Sequence, residues 1–182
     1  MEHGNHQAVL DFWFEEIEAR LWFAVDPDFD ALIRSRFLER LQQASAGELH
    51  AWRASASGRL AEVIVLDQFS RNVYRNTPAA FAQDPMALVL AQEAVAAGAL
   101  AALDPVQRSF LLLPYMHSES RHIHGIAEAL YREHAPPLNH DFELRHKAII
   151  DRFGRYPHRN AILGRPSTPE ELEFLAQPGS GF

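Results

Sequence analysis

There is no cysteine among the 182 residues. This excludes disulfides, thiolate-bound metals and cysteine nucleophiles, and it fits a compartment where disulfides do not form, so a cytoplasmic location is expected. Lysine is almost as scarce, since Lys147 is the one lysine present. Positive charge is therefore nearly all guanidinium, the group suited to planar, bidentate contact with carboxylate or phosphate. The net charge of -7 argues against nucleic-acid partners, which are held by clustered cations that displace counterions from phosphates. Long apolar runs are missing too: none approaches the roughly 18 residues of a membrane span. The opening segment shows neither a basic leader nor a small-residue cleavage site, so the expectation is a protein neither secreted nor embedded in a membrane. No stretch alternates with period two, and no sheet is expected. GxSxG, GxxxxGK[ST], GxGxxG and kinase signatures are absent, so none of those mechanisms has support, and no cofactor is implied.

What is present reads as helix. The length suits one domain spanning residues 1–182, which buries roughly 70% of the surface its unfolded chain exposes. Val9, Leu10, Phe12, Trp13 and Ile17 fall at helical spacing. Asp26-Pro27 opens a second helix with Phe29, Leu32, Ile33, Phe37 and Leu41 on one side, ending near Gly47. After a short helix over 48–53, Leu60, Val63, Ile64, Val65, Leu66 and Phe69 are apolar nearly all round, which predicts the most buried helix. Asp84-Pro85 and Asp104-Pro105 repeat the cap-then-proline start, the first for a helix over 86–97 closed by Gly98. Pro114 is expected to kink or end its helix. Further helices are predicted over 119–134, from Asn139 or Asp141 to Phe153 with Gly154 closing it, and after the capping signal Thr168-Pro169-Glu170-Glu171. Short connectors favour antiparallel neighbours, so the fold class is all-α, a stack of antiparallel helical hairpins, although no 34-residue repeat emerges.

Charge is unevenly distributed. Residues 11–30 hold seven acids against Arg20, while residues 145–165 hold six cations against Asp151, and pairing of the two ends inside the fold is one expectation. Three clusters carry chemistry. In Leu66-Asp67-Gln68-Phe69-Ser70-Arg71-Asn72-Val73-Tyr74-Arg75, an apolar helix turns polar. Asp67, Arg71 and Arg75 share a face, with Asp four residues before Arg in the favourable orientation, and Gln68 and Asn72 add amides. This reads either as a ligand-binding ladder or as an internal network. In Pro114-Tyr115-Met116-His117-Ser118-Glu119-Ser120-Arg121-His122-Ile123-His124, a metal is disfavoured because a cation interrupts the ligand set, whereas His117 with Glu119 makes an acid and base pair. Phe153-Gly154-Arg155-Tyr156-Pro157-His158-Arg159-Asn160-Ala161-Ile162-Leu163-Gly164-Arg165 combines a stiff backbone with arginines, a histidine and an asparagine, as a loop cradling an anion would, with His146 able to face the same way.

These blocks, with Val9-Leu10-Asp11-Phe12-Trp13-Phe14 and Trp22-Phe23, resemble a mainly bacterial family known as domain of unknown function 924, over nearly the whole chain. The resemblance implies an all-α fold similar to tetratricopeptide-type helical stacks and no particular reaction. After Glu119, Ser120-Arg121-His122 departs from the family's acidic continuation, so only His117 and Glu119 of that segment are kept as site residues. The expected site takes a small anionic metabolite. His117 or His158 would carry the proton, with Glu119 or Asp67 as its orienting carboxylate. Gln68, Arg71, Asn72, Arg75, Arg155, Arg159 and Asn160 would be ligand contacts, and hydrolysis or group transfer on a phosphate or carboxylate ester the reaction class. The competing expectation is a helical scaffold whose concave face holds a peptide or protein partner.

Overall fold

Asp-Pro and Thr-Pro pairs set several helix starts, because proline fixes the first-turn φ and the preceding side-chain oxygen takes an N–H that the helix leaves unpaired. In the computed structural model, which describes residues 5–181, all regular structure is helical and the described residues form no strand. Helix α1 (Gln7–Asp11) runs into a π-helical turn (Phe12–Glu16). Helix α2 (Pro27–Ser45) starts where Asp26 accepts from the N–H groups of Asp28 and Phe29. It stops before Gly47, whose φ of 74° is a conformation glycine adopts without penalty. A 3-10 turn (His50–Ala54) leads to α3 (Ala56–Ile64), which widens into a second π-helical turn (Val65–Phe69) and resumes as α4 (Ser70–Val73). Beyond a 3-10 turn at Pro78–Phe81 come α5 (Asp84–Ala96), α6 (Pro105–Met116), α7 (Arg121–His134), α8 (Pro137–Phe153) and α9 (Pro169–Leu175).

Several boundaries differ from the sequence reading, α5 among them, which starts at Asp84 itself. Pro114 lies inside α6, which continues to Met116; so close to the helix end, its missing N–H removes one hydrogen bond and leaves few turns to disrupt. Ser120, rather than Glu119, starts α7, its hydroxyl accepting from the Ile123 N–H. Helix α8 begins at Pro137, ahead of Asn139, because proline suits a first helical position.

Helix α3 and the π turn after it form the centre of the molecule. Leu60, Ala61, Val63, Ile64, Val65, Leu66 and Phe69 are fully buried, and α3 packs against α1, α5 and α6. Helix α7 packs on α6, and α8 on α7 across the connector Ala135-Pro136, so the last two make a helical hairpin. Phe69 sits 4.9 Å from Phe37, 5.6 Å from Trp13 and 6.2 Å from Phe12 between ring centroids, within the range of favourable aromatic contact. A smaller cluster of Ile149, Ile150 and Tyr156 lies under the segment after α8.

The acidic and basic ends do not pair with each other as expected. Arg152, Arg155, Arg159 and Arg165 reach Glu170, Glu171, Asp84 and Glu119, while Lys147 reaches Asp151. Glu16 and Asp30 from the acidic end hold Arg36 and Arg75. The chain brings acids from its middle and its C-terminus to the late arginines: Asp84 at the start of α5, Glu119 just before α7, and Glu170 and Glu171 on α9.

Truncating Phe69 would remove the ring that three other aromatics touch. Phe69→Ala should lower unfolding free energy by about 3–5 kcal/mol in urea titrations; a loss below about 1 kcal/mol would show that this ring is not central to the core.

Candidate functional site

The π turn delivers the first polar pair. A π turn adds a residue to the helical repeat, rotates the side chains beyond it out of the earlier phase, and is found often at functional sites. Here it sets consecutive side chains Asp67 and Gln68 together, with Gln68 Nε2–H donating to Asp67 Oδ2 at 2.6 Å. Asp67 Oδ1 meets the Nδ1 of His117, the residue that closes α6, at 2.7 Å. Arg71, one turn along on α4, places Nη1 3.2 Å from Asp67 Oδ1 and donates to the Asp67 carbonyl at 2.8 Å. Arg71 is then held by the first residue of α5, Asp84, through two bonds of 2.9 and 3.0 Å.

A second guanidinium arrives from the segment between α8 and α9. Arg159 donates to Asp84 Oδ2 at 3.3 Å and to the His117 carbonyl at 3.1 Å. It lies over the rings of Phe81 and Tyr156, at 4.6 and 4.7 Å, the stacking that guanidinium favours. Its side chain is 8% exposed, and its buried Nε–H has no acceptor, an expensive state for a polar group.

Electrostatics follow from this packing. Burial opposes ionisation of Asp67, but the charge of Arg71 and the hydrogen bonds from His117 and Gln68 outweigh it and hold the carboxyl below the usual carboxylate range. Burial, and then the Arg71 charge, push His117 below its ordinary value despite Asp67. A neutral imidazole facing a carboxylate donates from Nδ1, which fixes the tautomer and leaves the Nε2 lone pair available as a proton acceptor. Burial, reinforced by Arg71, also lowers Arg159, although guanidinium stays protonated throughout the working range.

Other predicted residues are engaged elsewhere. Glu119 is not the carboxylate at His117; it accepts two bonds from Arg165, at 2.7 and 2.9 Å, and the Tyr156 N–H at 2.7 Å. Asn72 and Arg75 both bond Asp30 of α2. Arg155 grips Glu171 bidentately, and Asn160 bridges Ser167, Glu171 and Arg165. These contacts fasten α4 to α2 and the segment after α8 to α7 and α9. His158 lies beside Tyr156, ring centroids 5.6 Å apart.

Asp84, Phe81 and Tyr156 belong to the cluster and were not among the predicted site residues. Asp84 carried a signal for a different role, an N-cap. Phe81 carried none. Tyr156 stood within the arginine-rich loop, and that position was the only clue. Among the described residues, no group of three or more histidines and acids is arranged to hold a metal ion, and no helix is long and apolar enough to cross a membrane.

The chain belongs to the family described as bacterial protein of unknown function (DUF924), which it matches over residues 9–179. A solved structure, that of a protein of unknown function from Agrobacterium tumefaciens, is 36% identical, covers 94% of this chain and 96% of its own, and superposes with a TM-score of 0.89. No curated protein matches the chain.

The histidines around Tyr156 make stability depend on pH. Burial lowers His146 from 6.5 to about 3 and His158 from 6.5 to about 4. A histidine depressed in the folded state takes its proton first in the unfolded chain, so stability is intact above about pH 6.5 and falls as acid is added towards those values. Each ring contributes a slope near 1.4 kcal/mol per pH unit within its window. Urea midpoints should therefore hold above about pH 7 and drop below about 6.5, and His146→Asn should flatten the drop by about one proton near pH 5. An unchanged slope in that variant would refute the assignment.

Proposed function

We propose that Asp67, His117, Arg71 and Arg159 form a small-molecule site for an anionic ligand, with hydrolase or transferase chemistry on a phosphate or carboxylate ester. The observation that carries this reading is Arg159: a guanidinium buried to 8% exposure, with Nε–H unpartnered, bonded to the carbonyl of the residue whose ring is aligned by Asp67. In this reading His117 Nε2 takes a proton from water or a substrate hydroxyl. Asp67 keeps the ring in the required tautomer and stabilises the imidazolium that forms, and the arginines hold the anionic group. Arg75, Arg155, Asn72, Asn160 and Glu119 serve this site indirectly, by fixing the segments that carry its members.

A second reading, a tetratricopeptide-like stack holding a peptide or protein partner, draws support from Leu138 and Phe142, exposed apolar side chains one turn apart on α8. It predicts no stabilisation by small anions.

A thermal-shift screen of phosphorylated and carboxylate metabolites separates the two. A ligand at a hundredfold its Kd adds about 2.7 kcal/mol, which raises the melting temperature of a chain this size by roughly 5–10 °C. Arg159→Ala should abolish the shift, and any turnover of nitrophenyl phosphate or nitrophenyl acetate should fall at least about 100-fold in His117→Asn. A parent protein that no anionic compound stabilises would end the small-molecule reading.

A further inference from the structure

Helices α2, α6 and α9 each open on an Asp-Pro or Thr-Pro pair whose side-chain oxygen takes first-turn N–H groups: Asp26 from Asp28 and Phe29, Asp104 from Gln107, and Thr168 from Glu171. Asp84-Pro85 carries the same signal, and yet Asp84 caps nothing in α5. It is wound in as the first residue of the helix, and its carboxylate spans Arg71 and Arg159 instead. Local chemistry favours one position for this side chain, and the arginine pair holds it in another.

Its fit to the arginines is incomplete. Arg71 receives two short contacts, Arg159 one longer contact, and the Arg159 Nε–H none. A carboxylate has two oxygens to offer. A phosphate monoester has three, enough to keep both Arg71 contacts and supply an acceptor to Arg159. Phe81, three residues before Asp84, stacks on both guanidiniums, at 5.5 and 4.6 Å, so the turn at Pro78–Phe81 and the start of α5 together cover the pair.

We propose that Asp84 is the chain's own stand-in for the phosphate of a phosphate monoester. The ligand displaces Asp84 from Arg71 and Arg159, and the released carboxylate takes the N-cap position of α5 that Asp84-Pro85 encodes. The proposal rests on the small-molecule reading above and adds its ligand class and its control. An internal carboxylate competes at high effective concentration, so the protein binds simple anions weakly until a ligand with further contacts lifts the cover. Asp84 loses its ion pairs in that step and gains helix-start N–H groups, which together with the N-terminal end of the helix dipole stabilise an anion.

The experiment is a calorimetric titration of the full chain with inorganic phosphate. Asp84→Asn should bind at least tenfold more tightly than the parent, and adding Arg159→Lys should remove that gain. Equal affinity of parent and Asp84→Asn would overturn this proposal while leaving the small-molecule site in place, as would a gain that survives Arg159→Lys. Absence of binding in both proteins would overturn the arginine site itself and this proposal with it. Should Asp84→Asn fail to fold, hydrogen exchange of the parent decides: saturating phosphate should speed exchange over residues 78–84 and slow it in the first turn of α5, and an unchanged pattern would overturn the proposal.

Discussion

A carboxylate cannot be taken out of water without partners to replace the hydration it loses, and Asp67, 1% exposed in the middle of the most buried helix, imposes that requirement on everything around it. Gln68, His117 and Arg71 meet it. Arg71 is then itself a buried cation, and it calls for Asp84. Arg159, the second cation on Asp84, is held further by the His117 carbonyl and by two aromatic faces. Each member of the cluster is present because the one before it cannot be left alone at that depth, and the sequence of demands runs from the π turn outward to the segment between α8 and α9.

That segment is held from outside by pairs of the same kind. Glu119 ties Arg165 and the Tyr156 backbone to the start of α7, and Glu171 ties Arg155 and Asn160 to α9. Beneath it, Tyr156 donates to the Met116 carbonyl while its oxygen lies 3.2 Å from His124 Nε2, whose Nδ1 meets the buried Glu143 at 2.7 Å. Burial raises Glu143 above the ordinary glutamate value, and one of its oxygens has no partner. The arginine-rich composition that suggests anion binding is thus largely absorbed by matching carboxylates, and Arg159 keeps a buried Nε–H without an acceptor.

Helix positions were legible because they are local. Caps at Asp26, Asp104 and Thr168 and stops at Gly47, Gly98 and Gly154 depend on neighbours a few residues away, and the structure places them as the sequence predicts. The Asp67 and Arg71 pair was legible for the same reason, since four residues on a helix fix the spacing. Choices between distant partners were not. His117 has Glu119 two residues on and Asp67 fifty residues back, and only the packing of α6 against α3, which leads into the π turn, makes Asp67 its partner. Asp84 misled for a related reason: its local signal names a cap, and tertiary contact with two arginines overrides it. Phe81 sits in a short turn with nothing in its surroundings to mark it, so its place over both guanidiniums follows from the fold alone.

The proposed site requires His117 to be a neutral ring that donates from Nδ1 to an ionised Asp67. Nitrogen-15 NMR of the histidine side chains reads this directly. His117 should show a protonated Nδ1 and an unprotonated Nε2 at neutral pH and keep them below the ordinary histidine pKa of about 6.5. A doubly protonated His117 at neutral pH, or a proton on Nε2 in place of Nδ1, would contradict it.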